Sequence, residues 1–155
     1  MSMKERQPIR ILMVCLGNIC RSPLAHGVLE HFARERGLNW EIDSAATGNW
    51  HIGEQPDRRS IAIAENYGVD ISGQCCRQFD VSDFDKYDHI FVMDYSNLND
   101  VKALARTEED HSKVSLLLKN DIVPDPYYDD TQFDPVYKMV EKRCREIIEE
   151  FNSPA

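Results

Sequence analysis

The stretch that most constrains the fold is residues 9–37, where the apolar run IRILMVC passes through a short turn, LGNICR, straight into SPLAHGVLEHFARERG. The run is compact, with one arginine near its start, which suits a buried strand. In the segment that follows, Leu24, Val28, Leu29, Phe32 and Ala33 recur at helical spacing and form one apolar stripe. Ser22 is a good N-cap residue and Pro23 a favoured first helical residue. Gly37 is a stop signal, with Arg34 and Arg36 in the last turn, where the helix dipole favours cations. A strand that feeds a helix without a linker leaves few options. The helix packs back on the sheet, and the next strand runs parallel to the first.

The alternation continues. WEIDSAA (40–46) reads as a second strand and DRRSIAIAENYG (57–68) as a second helix closed by glycine. DHIFVMD (88–94) reads as a third strand, 95–106 as a helix and KVSLLL (113–118) as a fourth strand. The C-terminal stretch places Val136, Tyr137, Val140, Cys144, Ile147, Ile148 and Phe151 on one helical stripe suited to core packing. The expected fold is α/β: a single domain with a four-stranded, parallel, twisted sheet and helices on both faces. Its expected limits are 9–151, with a flexible N-terminal segment at 1–8 and a tail at 152–155. In such sheets ligands bind beyond the carboxyl ends of the strands. Two loops of unusual chemistry leave those ends, 15–22 and 119–133.

Composition then excludes whole classes. A formal charge of −9 over 155 residues argues against nucleic acid, whose backbone demands basic clusters. It argues equally against long-range steering of an anion, so any anion site must work by local geometry. The start, MSMKERQPIRILMV, is charged, and its apolar run is too short for a signal core or a membrane span. The expectation is a cytoplasmic protein with no membrane partner and with monomer as the default state. The five cysteines, 15, 20, 75, 76 and 144, are odd in number and read as reduced thiols. No C-x-x-C occurs, and His26 and His31 are not spaced to share a helical face, so no metal is expected.

The turn itself carries chemistry. Gly17 and Asn18 are residue types that tolerate left-handed backbone angles. A loop that curls this way points successive N–H groups inward as an anion-binding nest, and the positive end of the helix faces the same concavity. Arg21 at the rim offers a planar fork matched to two phosphate oxygens. Cys15 is at the base, so the positive character falls on its sulfur, which favours the nucleophilic thiolate. The competing reading is a glycine turn with an inert cysteine. C-x5-R alone would not exclude it, but C-x5-R-S-P across a strand–helix junction is far more specific.

VCLGNICRSP at 14–23 resembles the phosphate-binding signature of the low-molecular-weight protein tyrosine phosphatases, and DPYY at 125–128 resembles their acid-loop motif. DSAAT at 43–47 and MDYSNL at 93–98 resemble further segments of that family, in the same order. The resemblance implies the phosphotyrosine protein phosphatase I-like fold and a metal-independent hydrolase without cofactor. It implies that Cys15 attacks phosphorus and becomes a phosphocysteine, while Arg21 and the amides of Leu16, Gly17, Asn18, Ile19 and Cys20 hold the phosphoryl oxygens. Ser22 would donate to the Cys15 sulfur and Asn18 would brace the loop. Asp125 would protonate the leaving phenolate and later take a proton from water. Pro126 restricts Asp125 to extended backbone; Asp121, Asp129 and Asp130 lack that proline, and Asp134, which has one, is not followed by the paired tyrosines. The acid must be protonated to act, which implies an optimum on the acidic side of neutral. Trp50, Tyr127 and Tyr128 would wall a cleft deep enough to select phosphotyrosine, and Tyr127 or Tyr128 could themselves be phosphorylated. Cys20 would form a reversible disulfide with Cys15. Phosphotyrosine-containing proteins are the implied substrates, and inorganic phosphate, vanadate or sulfate the implied loop ligands.

Two features depart from the family's pattern. Many relatives carry a histidine near 72–74, where this chain reads SGQCC from Ser72, and Cys75–Cys76 is an adjacent pair. Two other readings compete. A thioredoxin-coupled arsenate reductase needs two further cysteines several residues apart, which an adjacent pair does not supply. A binding module without turnover would have lost Cys15, Arg21 or Asp125, and all three are present.

Overall fold

A computed structural model describes residues 8–152. Six-residue β1 (Arg10–Cys15) leads through the turn into α1 (Arg21–Glu35), followed by β2 (Glu41–Ala46) and α2 (Arg58–Asn66). A short α3 (Asp83–Lys86), β3 (His89–Val92), α4 (Tyr95–Lys102), a short α5 (Glu108–Ser112) and β4 (Val114–Leu116) come next. A 3-10 turn at Asp130–Gln132 runs into the long α6 (Phe133–Phe151). The four strands form one sheet in the order β2-β1-β3-β4, and all pairs are parallel, with Met13 beside both Ser44 and Phe91. The fold class is the expected one. The segment 1–8, apart from Pro8, and the tail 152–155, apart from Asn152, lie outside the described residues.

β1 is buried on both faces because both faces are covered. Ile11, Met13 and Cys15 pack with α1 and α6, against Leu24, Val28, Val140 and Cys144. Leu12 and Val14 pack on the other face with Phe79, Phe84 and Val101. The period-2 alternation of a strand divides the five residues Ile11–Cys15 between two cores in this way. α6 buries the stripe expected of it from Val136 to Ile148, and Tyr137 stacks on Tyr67 at 4.3 Å between ring centroids.

Local boundaries differ where a cap overrides a pattern. The helix expected over 95–106 stops at Lys102, because Thr107 starts a new turn by accepting the N–H of Asp110 with its side chain. α3 has no long apolar period to announce it. α1 begins at Arg21, with Cys20 at the cap position and no side-chain capping bond. Ser22 is therefore not the cap, a correction to the sequence reading; its hydroxyl is engaged with Cys15, as described below. Gly37 (φ 68°) and Gly68 (φ 82°) close α1 and α2 in the left-handed region, as their positions suggested.

The strand order places the crevice. β1 connects toward β2 on one side, and the chain returns to β3 on the other, so the loops after β1 and β3 diverge and leave a gap between them.

Candidate active site

The turn after β1 occupies that gap, and its backbone settles how it faces. Asn18 adopts φ 58°, the one left-handed residue of the turn; Gly17 does not. The carbonyls of Cys15, Leu16, Gly17, Ile19 and Cys20 are all taken from outside, by Thr47 N (2.9 Å), Gly48 N (2.9 Å), Cys76 Sγ (3.1 Å), Asp57 N (2.8 Å) and Ser60 Oγ (3.5 Å). Across a trans peptide the next N–H points the opposite way. The amides of residues 16, 17, 18, 20 and 21 therefore point into the loop. A nest of this kind is an anion cradle.

Cys15 Sγ lies at its base, 2% exposed. It receives the N–H of Asn18 at 3.3 Å and of Ser22 at 3.4 Å, and stands 3.1 Å from Ser22 Oγ. The direction of that last bond follows from its neighbours. Asn18 Oδ1 accepts from Arg77 N (3.2 Å), so its amide nitrogen donates to Ser22 Oγ (2.7 Å). The hydroxyl proton of Ser22 is then left for the sulfur. Three donors converge on one sulfur atom, the arrangement that stabilises a thiolate.

Arg21 is not on the rim. It is buried, its Nη1 donating to Asp94 Oδ2 at 2.7 Å and to the Val123 carbonyl at 3.1 Å. Burial alone would lower its pKa, but the Cys15 charge and the bond to Asp94 outweigh that and raise it. Its Nη2 faces Asp125 Oδ2 at 3.9 Å. Asp125 is on the loop after β4 and takes the N–H of Tyr127 on Oδ1. The two loops singled out in the sequence thus meet, with Cys15, Arg21 and Asp125 lining a single cleft of about 460 Å³.

The cleft walls are Leu16, Ile19, Trp50, His51, Tyr127 and Tyr128. Tyr128 is 91% exposed and Trp50 64%, so both stand up from the surface and deepen the entrance. Cys20 also lines the cleft, but burial, with Asp57 nearby, pushes its thiol up to about 12. It stays protonated at neutral pH. The five cysteines are all free. Cys76 is pushed up to about 11 by burial and donates to the Gly17 carbonyl, whereas Cys75 is exposed. Gln74, at the place of departure from the family pattern, donates from Nε2 to the Pro23 carbonyl at 3.0 Å and braces the first turn of α1. No helix among the described residues is long and apolar enough to cross a membrane.

Sequence reasoning passed over two residues of this site. Asp94 holds Arg21 while its other oxygen caps α4 through Asn97 N (2.8 Å). An aspartate at a strand end before a helix was a visible cap signal, yet its second duty depends on β3 lying beside β1. His51 lines the cleft with Nδ1 bonded to Glu54 at 2.9 Å, and nothing in its sequence context marks it.

Comparison with known proteins gives a family and a set of similar structures. The family model described as low molecular weight phosphotyrosine protein phosphatase matches residues 10–154. A pig protein of that name is 35% identical over 156 residues, covering 95% of this chain and 98% of the relative. The crystal structure of YfkJ from Bacillus subtilis superposes with a TM-score of 0.88 at 32% identity, over 95% of this chain and 96% of that one. A structure described as a Drosophila arginine phosphatase gives a TM-score of 0.87 at 30% identity, over 95% of this chain and all of the other.

Proposed function

The chain belongs to the low molecular weight phosphotyrosine protein phosphatases, and from that premise we propose that its domain, 9–151, hydrolyses phosphotyrosine and small aryl phosphates through a phosphocysteine on Cys15. The observation that carries the reading is the convergence of three donors on Cys15 Sγ at the floor of a cleft that Asp125 also lines. The thiolate attacks phosphorus in line with the aryl oxygen. The inward amides and Arg21 take up the charge on the three equatorial oxygens, the electrostatic role that dominates phosphoryl transfer. Asp125 gives its proton to the departing phenolate. In the second half-reaction Asp125 takes a proton from the water that attacks the phosphocysteine, and the thiolate and inorganic phosphate are released.

Trp50, Tyr127 and Tyr128 supply the depth that admits a phenyl ring and keeps a shorter phosphoserine from the floor. On this reading the substrates are phosphotyrosine-containing proteins, and phosphate, vanadate and sulfate compete for the loop. The protein works as a cytoplasmic monomer without metal or cofactor, and a Cys15–Cys20 disulfide protects the nucleophile. Cys20 lines the same cleft as Cys15, and once peroxide has oxidised Cys15 to the sulfenic acid the Cys20 sulfur displaces water from it to close the bridge.

The test is turnover of p-nitrophenyl phosphate with and without EDTA, followed by phosphotyrosine, phosphoserine and phosphoarginine peptides. Expected are metal-independent rates, inhibition by vanadate, complete loss in Cys15→Ser and preference for phosphotyrosine. Turnover that survives Cys15→Ser or requires a metal overturns the mechanism; preference for phosphoarginine overturns the substrate.

A further inference from the structure

Asp125 is on a loop with little structure of its own. Between Val123 and Phe133 the only regular element is the 3-10 turn, and most residues are exposed. The near end is fastened by Val123, whose N–H donates to Met93 O and whose carbonyl accepts from Arg21. Inside the loop the hydrogen bonds are local, such as Asp129 N to Pro126 O and Thr131 to the Asp129 carboxylate. Among the described residues, the hydrogen bond that joins this stretch to another element comes from Arg59, whose Nη1 donates to Asp130 Oδ1 at 2.6 Å.

Arg59 is in the first turn of α2, and each of its three guanidinium nitrogens donates a hydrogen bond. Nε and Nη2 donate to the two oxygens of Asp57 at 3.0 and 2.9 Å. Its guanidinium carbon lies 5.2 Å from the Tyr127 ring centroid and 4.7 Å from that of Phe133. Asp57, in turn, is tied to the phosphate loop through its N–H on the Ile19 carbonyl. One guanidinium therefore links the loop that carries the nucleophile to the loop that carries the acid. Tyr127 completes the chain, because its ring lies against Arg59 and its N–H holds Asp125.

We propose that Arg59 is a positioning residue that sets Asp125 over the phosphoryl site by clamping Asp130, Tyr127 and Phe133 to Asp57. The proposal rests on Asp125 being the general acid. A displaced acid harms only substrates whose leaving group needs the proton. A phenolate with a conjugate-acid pKa of about 10, as in tyrosine, needs it, and general acid catalysis is worth roughly 10²–10⁴-fold there. A strongly acidic phenol departs unaided.

The experiment compares kcat/KM for phenyl phosphate and 2,4-dinitrophenyl phosphate in wild type, Arg59→Gln, Arg59→Lys, Asp130→Asn and Asp125→Asn. Arg59→Gln is expected to lose roughly tenfold on phenyl phosphate and no more than about twofold on the dinitrophenyl ester, a partial loss of the acid's full effect. Arg59→Lys is expected to behave like Arg59→Gln, since an ammonium cannot make the planar fork or the ring contacts. Asp130→Asn shifts the same ratio by a smaller factor, about threefold, because its side chain is exposed and the pair is screened. That exposure also leaves its folding unaffected. An unchanged ratio in Arg59→Gln and Asp130→Asn, or an equal loss on both esters, overturns the positioning role. If Asp125→Asn also fails to discriminate between the esters, the general-acid assignment itself is what fails.

Discussion

Removing the carboxylate of Asp94 separates two duties that the structure joins in one side chain. Oδ2 receives Arg21 at 2.7 Å and Oδ1 caps α4 through Asn97 N. Asp94→Ser keeps a capping oxygen but is too short to reach the guanidinium; Asp94→Ala removes both. A charge-assisted hydrogen bond contributes about 1.5–3 kcal/mol. Breaking a fully buried pair costs about 3–5 kcal/mol, but the Asp94 side chain is 25% exposed and water replaces part of it, so the lower scale applies. Asp94→Ser should therefore lose about 2 kcal/mol, and Asp94→Ala about 1 kcal/mol more for the cap. At this chain length the first loss lowers Tm by roughly 4–8 °C. Oxyanion affinity is the poorer readout, because freeing Arg21 costs ordering entropy while removing Asp94 relieves repulsion of the anion. The decisive assay is urea unfolding of Asp94→Ser, Arg21→Met and the double variant. A coupling of about 2 kcal/mol is expected, and additivity within about 0.5 kcal/mol would refute the claim that this pair fixes the arginine.

Three further outcomes follow from the structure. Iodoacetamide near pH 7 should label Cys15 well before Cys20, whose thiol is held near 12 by burial, and bound phosphate should slow the Cys15 reaction; peptide mapping distinguishes the two sites. His26 is buried against Ser44 Oγ at 2.8 Å, and burial lowers its pKa, with Glu30 and Asp43 opposing. The unfolded chain therefore binds the proton more tightly than the native state. Stability from His26 is present above about 6.5 and is lost as pH falls below that value. Tm should drop between pH 7.5 and 5.5, and less so in His26→Gln; an identical slope in the two proteins would contradict the assignment. Finally, the Tyr137 hydroxyl is buried with no hydrogen-bond partner among the described residues, so Tyr137→Phe should raise stability by about 1–2 kcal/mol in urea titrations; a loss of that size would show that the hydroxyl has a partner.

How much of this was legible in the chain depends on the range of the interaction. The strand at IRILMVC, the stripe of α1 and the stripe of α6 are periodic patterns, and periodicity is a local property that survives into the fold. Cys15, Arg21 and Asp125 were legible for another reason, since each belongs to a short motif whose members act within a few residues of one another. Ser22 shows the limit. As a residue type it reads as a helix cap, but the Asn18 amide donates to its oxygen and its hydroxyl donates to the Cys15 sulfur. Arg59 is more hidden still. In DRRSIAIAENYG it is one of two adjacent arginines at a helix start, and only its place facing Asp130 and Tyr127 distinguishes it from Arg58.

The amino-acid order alone determined the βα alternation, the parallel sheet and the cysteine-bearing anion loop, because each rests on spacing or on backbone conformations encoded within a few positions. The folded arrangement decided what those parts face. The order β2-β1-β3-β4 opens a gap between the ends of β1 and β3, brings Asp94 under Arg21 and sets Asp125 across the same cleft from Cys15. Relations between residues roughly seventy to a hundred and ten positions apart depend on which strand lies beside which, and no local pattern records that.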